Sequence, residues 1–197
     1  MVCVVPCLKF REPEVIAMEE IDINLLRACQ QGDVGAFERL FQTYREPVFR
    51  LAFRFTGNRD DAEDLTQDIF LKVFERIGSF RCESSFATWL YRLAVNTCLN
   101  FKRDTKHAES LEVIDDWQEY ELNPEEVCER FELQQRIEAE IATLPKALKA
   151  AFILVVLEEM PYRDVSEILG LSVDAIRMRV SRARKILREK LLRYLEG

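Results

Sequence analysis

One histidine, six glycines and six prolines in 197 residues leave little room for several kinds of protein. Metal centres and acid–base sites lean on histidine, and His107 stands alone in an acidic stretch. The six cysteines, Cys3, Cys7, Cys29, Cys82, Cys98 and Cys128, form no C-x-x-C pair, so neither a zinc site nor a dithiol motif is expected. Cys29 and Cys98 fall at helical apolar positions and read as small buried hydrophobes. With no glycine-rich phosphate loop and no clustered ligands, the sequence predicts no enzyme, no cofactor and no metal. No apolar run reaches the roughly 18 residues that span a bilayer. The opening Met1–Phe10 lacks the basic start and small-residue cleavage site of a signal peptide, so a cytoplasmic protein is expected. The helical pattern begins just after Met18, which makes both Met1 and Met18 candidate starts.

What the chain does have is 48% hydrophobic and 32% charged residues, with apolar positions recurring at helical rather than alternating spacing. That pattern predicts an all-α protein of two small helical domains. The net charge of −7 is spread unevenly. Residues 1–106 hold 15 basic and 16 acidic side chains, residues 107–140 hold 2 and 12, and residues 141–197 hold 11 and 7. A basic end behind an acidic middle suggests a nucleic-acid-binding module on a solvated tether. The expected organisation is a disordered N-terminal extension over 1–20, a first domain over 21–106, a flexible acidic linker over 107–123, and a second domain over 124–197.

The first domain reads as four helices, broken near Gly32-Asp33, Gly57-Asn58 and Gly78-Ser79. Its third helix, from about Asp60 to Ile77, buries Ala62, Leu65, Ile69, Phe70 and Val73 and turns Asp61, Asp64, Gln67, Asp68 and Lys72 outward. After the loop at Phe80–Glu83, Ser84 or Ser85 can cap a fourth helix running to Lys102, with Phe86, Leu90, Leu93, Ala94 and Phe101 on its core side. The opposite side carries Arg92, Asn96, Asn100 and Arg103 at steps of four, four and three, with Trp89 nearby. Such a stripe can follow a phosphate backbone and receive an unstacked base, although Trp89 on its own suits a core better than a base platform.

Near the end of the chain, a short helix stops at Leu169, Gly170-Leu171-Ser172 makes a turn, and a second helix starts near Val173. Ile176, Val180, Ala183, Leu187 and Leu191 form one apolar stripe on it. Arg177, Met178, Ser181, Arg182, Arg184, Lys185 and Arg188 project elsewhere and give a basic face suited to a major groove. A helix-turn-helix alone would fit any transcription factor, including a one-component regulator with a sensing domain.

Three motifs narrow the class. The run Phe80-Arg-Cys-Glu-Ser-Ser-Phe-Ala-Thr-Trp-Leu-Tyr-Arg-Leu-Ala-Val-Asn96 is similar to the promoter-melting segment of extracytoplasmic-function (ECF) sigma factors of bacterial RNA polymerase. Asp61-Ala-Glu-Asp-Leu-Thr-Gln-Asp-Ile-Phe-Leu-Lys-Val-Phe74 resembles their polymerase-docking helix. Leu144-Pro145, Tyr162-Arg-Asp-Val, Leu169-Gly-Leu-Ser172 and Arg179-Val-Ser-Arg-Ala-Arg184 resemble their second DNA-binding domain. The resemblance implies that Asp61, Asp64, Gln67 and Asp68 meet the clamp helices of the largest subunit of core RNA polymerase, with the second domain near the polymerase flap. It implies that Phe80, Ser84, Ser85 and Trp89, with Arg92, Asn96, Asn100 and Arg103, read the −10 element of promoter DNA as single strand. The −35 element would be read as duplex by Arg177, Met178, Ser181, Arg182, Arg184 and Lys185. It further implies an anti-sigma partner and a linker threaded through the RNA exit path. Cys82 stands where the family usually has glycine, Met178 where a small residue is common, and Ser181 where a larger one often sits. A sensing domain would have no use for the polar stripe of the fourth helix, which separates this reading from the one-component regulator.

Overall fold

The structure, a computed structural model, describes residues 21–101 and 136–195. The expected N-terminal extension, the linker over 107–123 and Arg103 lie outside the described residues. Among those described there is no strand, and the elements are helices in two groups. The first group holds α1 (Ile23–Gln30), α2 (Val34–Thr56), α3 (Arg59–Arg76) and α4 (Phe86–Asn100). The second holds α5 (residues 136–142), α6 (Lys146–Phe152), α7 (Tyr162–Leu169) and α8 (Val173–Leu195).

Short polar side chains start α2, α3, α4 and α8 by accepting otherwise unpaired amides of the first turn. Asp33 accepts from Ala36 N at 3.0 Å, Asn58 from Asp61 N at 2.9 Å, Ser85 from Thr88 N at 3.0 Å and Ser172 from Ala175 N at 3.2 Å. Of the two serines eligible before α4, Ser85 is the cap. Gly57 and Gly170 end α2 and α7 in the left-handed conformation, at φ 66° and 65°.

In the first group α2, α3 and α4 pack on one another around Leu40, Leu51, Ile69 and Leu90, none of them accessible to solvent. In the second, α6 and α7 pack on α8, whose stripe Ile176, Val180, Ala183 and Leu187 is buried as its spacing predicts. Leu191 is only half-buried at the end of that stripe. After α6 the chain stays helical, but Ile153–Leu157 winds as a π-helical turn and Glu159 follows shortly at φ 51°. The two groups touch. α7 and α6 lie against α4, and the buried residues form one contiguous cluster that runs through both domains.

Candidate nucleic-acid and polymerase interfaces

α3 separates its two faces as its sequence predicts. Ala62, Leu65, Ile69, Phe70 and Val73 are buried, while Asp64, Gln67 and Asp68 are exposed. Asp61 is half-buried near the helix start, and Lys72 leans back to donate to Thr97 Oγ1 of α4 at 3.2 Å. The outward face continues further than the acidic residues. Leu71 and Phe74 are 62% and 55% exposed, and the Phe37 ring packs edge-on against Phe74 with centroids 5.1 Å apart. Sequence reading missed these two. Their signal was the continued step from Asp64 through Gln67 to Leu71 and Phe74, which carries the polar face into an apolar one.

The loop between α3 and α4 is pinned from α1. Gln30 Nε2 donates to Ile77 O at 3.2 Å and to Phe80 O at 2.9 Å. Phe80 itself is buried, and with Phe86 and Trp89 it forms an aromatic group whose centroids lie 5.3 to 5.9 Å apart. Phe80 therefore forms a wall under the loop and does not reach out of it in the free chain. Trp89 is half-buried on the same group and keeps one side toward solvent. Ser85 spends its hydroxyl on the cap and on Thr88 Oγ1 at 2.8 Å, whereas Arg81, Cys82 and Glu83 are exposed. Cys82 adopts φ 56°, a conformation that favours glycine, which accounts physically for the family's usual residue there.

Arg92, Asn96 and Asn100 line one exposed stripe of α4, as their spacing predicts. Arg92 is nevertheless engaged, because Nη2 donates to Glu167 O of α7 at 2.7 Å. Behind the stripe, Tyr91 is buried and its hydroxyl pKa is pushed up, first by desolvation and then by the nearby Glu158 carboxylate. Burial likewise pushes the Cys98 thiol up to about 12, so it remains a neutral packing residue.

On α8 the six residues Arg177, Met178, Ser181, Arg182, Arg184 and Lys185 are all exposed. Arg177 Nη1 pairs with Asp174 Oδ1 at 3.2 Å and its guanidinium lies 5.9 Å from the Tyr162 ring centre. The other basic side chains form a solvent-facing surface that matches the electrostatics of a phosphate backbone. The far half of α8 is anchored by Lys190, which bonds Glu140 Oε2 at 2.8 Å and Thr143 Oγ1 at 2.5 Å. The bond from Lys190 holds the Glu140 carboxyl below its ordinary range.

Residues 40–108 match the model of sigma-70 region 2, and residues 134–187 match that of sigma-70 region 4. The chain is 35% identical over 186 residues to the ECF RNA polymerase sigma-E factor of Haemophilus influenzae, covering 89% of this chain and 98% of that protein. It is 31% identical to the RNA polymerase sigma-H factor of Pseudomonas aeruginosa, covering 88% of this chain and 95% of that one. In fold it is similar to CnrH, solved in complex with the cytosolic domain of CnrY, at a TM-score of 0.63 and 23% identity over 85% of this chain and 95% of that one. It is also similar to the sigma factor RpoE solved with the anti-sigma factor NepR from Bartonella quintana, at 0.58 and 24% over 80% and 98%. With both sigma regions in order and curated relatives matched over nearly their whole length, the chain belongs to the ECF sigma factors, alternative sigma factors that direct promoter-specific transcription by RNA polymerase.

Proposed function

We propose that this sigma factor reads its promoter with two different surfaces and docks on polymerase with a third. Residues 124–197 form the −35 reader, which places Arg177, Met178, Ser181, Arg182, Arg184 and Lys185 in the major groove. Residues 21–106 form the −10 reader, in which Arg92, Asn96, Asn100 and Arg103 hold the separated strand. Ser84 and Ser85 edge the loop and Trp89 offers a stacking face. Asp61, Asp64, Gln67 and Asp68, extended by Leu71 and Phe74, meet the clamp helices of core polymerase. The acidic segment over 107–123 joins the two readers. No catalysis of its own is needed, since polymerase supplies the chemistry, and the protein works in the cytoplasm where polymerase and promoter are. An anti-sigma partner fits the same reading, because the solved relative from Bartonella quintana carries one.

The observation that carries this reading is the two-sidedness of α8. All six proposed −35 residues face solvent while Ile176, Val180, Ala183 and Leu187 of the apolar stripe are buried. The test is run-off transcription with purified core polymerase on promoters of the source organism. Arg182→Ala should cost about 1 to 3 kcal/mol of −35 discrimination if it makes a bidentate base contact. Uniform weakening on all sequences would make it a phosphate contact, and unchanged transcription would remove α8 from the −35 element.

A further inference from the structure

Met178 is the odd side chain on the basic face of α8. At about 100° per residue it points almost directly away from the middle of the buried stripe of Ile176, Val180, Ala183 and Leu187, which puts it at the centre of the outer face. It is 56% exposed, and its neighbours on that face are Arg177, Ser181, Arg182 and Lys185. A thioether in such company gains nothing from a phosphate. It carries no charge, donates no hydrogen bond and accepts one only weakly.

Its surroundings leave that apolar surface open. Ser181, one turn further along, is small, and the Arg177 guanidinium is drawn back to Asp174 Oδ1 at 3.2 Å and toward the Tyr162 ring of α7. Met178 lies in the second turn of α8, which starts at Val173, and the first turns of a recognition helix are the part that reaches base edges. The major groove presents one apolar feature to such a side chain, the C5-methyl of thymine. Every other base edge there offers donors or acceptors, which a thioether would strip of water without pairing. An exposed methionine at this place therefore discriminates in one direction, toward thymine and against the other three bases.

We propose that Met178 is a specificity-determining residue that packs its thioether on a thymine methyl of the −35 duplex, so that one position of that element is read by apolar contact alone. This rests on the −35 reading of α8 given above and adds to it a base and the atom that is read.

Deoxyuridine tests this at the level of one methyl group, because it pairs as thymidine does and lacks only the C5-methyl. On a promoter that the holoenzyme transcribes, each thymine of the −35 element, on both strands, is replaced in turn by uracil. The affinity of holoenzyme for each duplex is measured by fluorescence anisotropy. Wild-type holoenzyme should lose about fourfold at one position, the worth of one methyl group removed from water. Met178→Ala holoenzyme should bind thymine and uracil alike at that position, with the variant as helical as the wild type by circular dichroism. A wild type indifferent to uracil throughout, uracil sensitivity equal in the wild type and Met178→Ala at every position, or a −35 element without an A·T pair would each overturn the proposal. Failure of the −35 reading itself looks different: scrambling the whole −35 element, or Arg182→Ala, would then leave wild-type affinity unchanged, whereas failure of the methionine contact alone leaves both of those losses in place.

Discussion

Lys149 is a charged side chain in an unusual place, 8% exposed, on a helix whose neighbours Ala150 and Ala151 are fully packed. Burial lowers its pKa to about 8, while its ammonium is retained by Phe55 O and the Phe55 ring 5.9 Å away. In the unfolded chain the same group titrates near 10.5. The folded state therefore releases its proton first, and the burial penalty is present in full below about pH 8 and lifts as pH rises toward 10.5. Urea midpoints of the wild type measured against Lys149→Met should shift in favour of the wild type across that window; a difference that does not change with pH would refute the assignment. Asn96 belongs to the same scale. Asn96→Ala should leave −35 duplex binding by the holoenzyme intact and abolish permanganate reactivity of promoter thymines, since only an extruded base needs its amide. The stripe of Arg92, Asn96 and Asn100 was legible from spacing alone. The carbonyl that holds Arg92 was not, because it lies 75 residues away and a backbone acceptor leaves no trace in a side-chain pattern.

Among elements, the starts and stops of helices were the most readable feature, because caps and left-handed glycines act through the residues beside them. Asp33, Asn58, Ser85 and Ser172 all stand where the sequence offers a short polar side chain ahead of an apolar period. Gly170 tests the logic cleanly. A Cβ there would meet nothing within 4 Å, so Gly170→Ala adds no clash and costs only the left-handed backbone, about 1 to 2 kcal/mol, measurable as a lower urea midpoint with an unchanged slope. The π-helical winding of Ile153–Leu157 could not be read in advance. The segment lies within the solid apolar run of residues 150–157, and such a run has no phase from which a changed number of residues per turn could be inferred.

For the whole molecule, two helical domains and their chemistry were visible, but their contact was not. Uneven charge and fading periodicity point to separation, while the contact is made by apolar and charged residues brought together from far along the chain. The proposed docking face on α3 is exposed while the two groups touch. Asp64→Lys should therefore weaken capture of core polymerase in a pull-down while far-ultraviolet circular dichroism and melting stay unchanged; undiminished capture would relocate the docking site. The helix-end contacts made between the two groups by Lys149, Lys146 and Arg92 also bear on how such a protein diverges. Their acceptors are backbone carbonyls at Phe55, Leu99 and Glu167, which no substitution at those positions can delete. Only the donors at positions 92, 146 and 149 can be lost or gained. A contact between paired side chains, such as Arg54 with Glu158, must change on both sides at once to drift without damage, but these three can be lost or gained by one codon at a time, with no matching change at the carbonyl they meet.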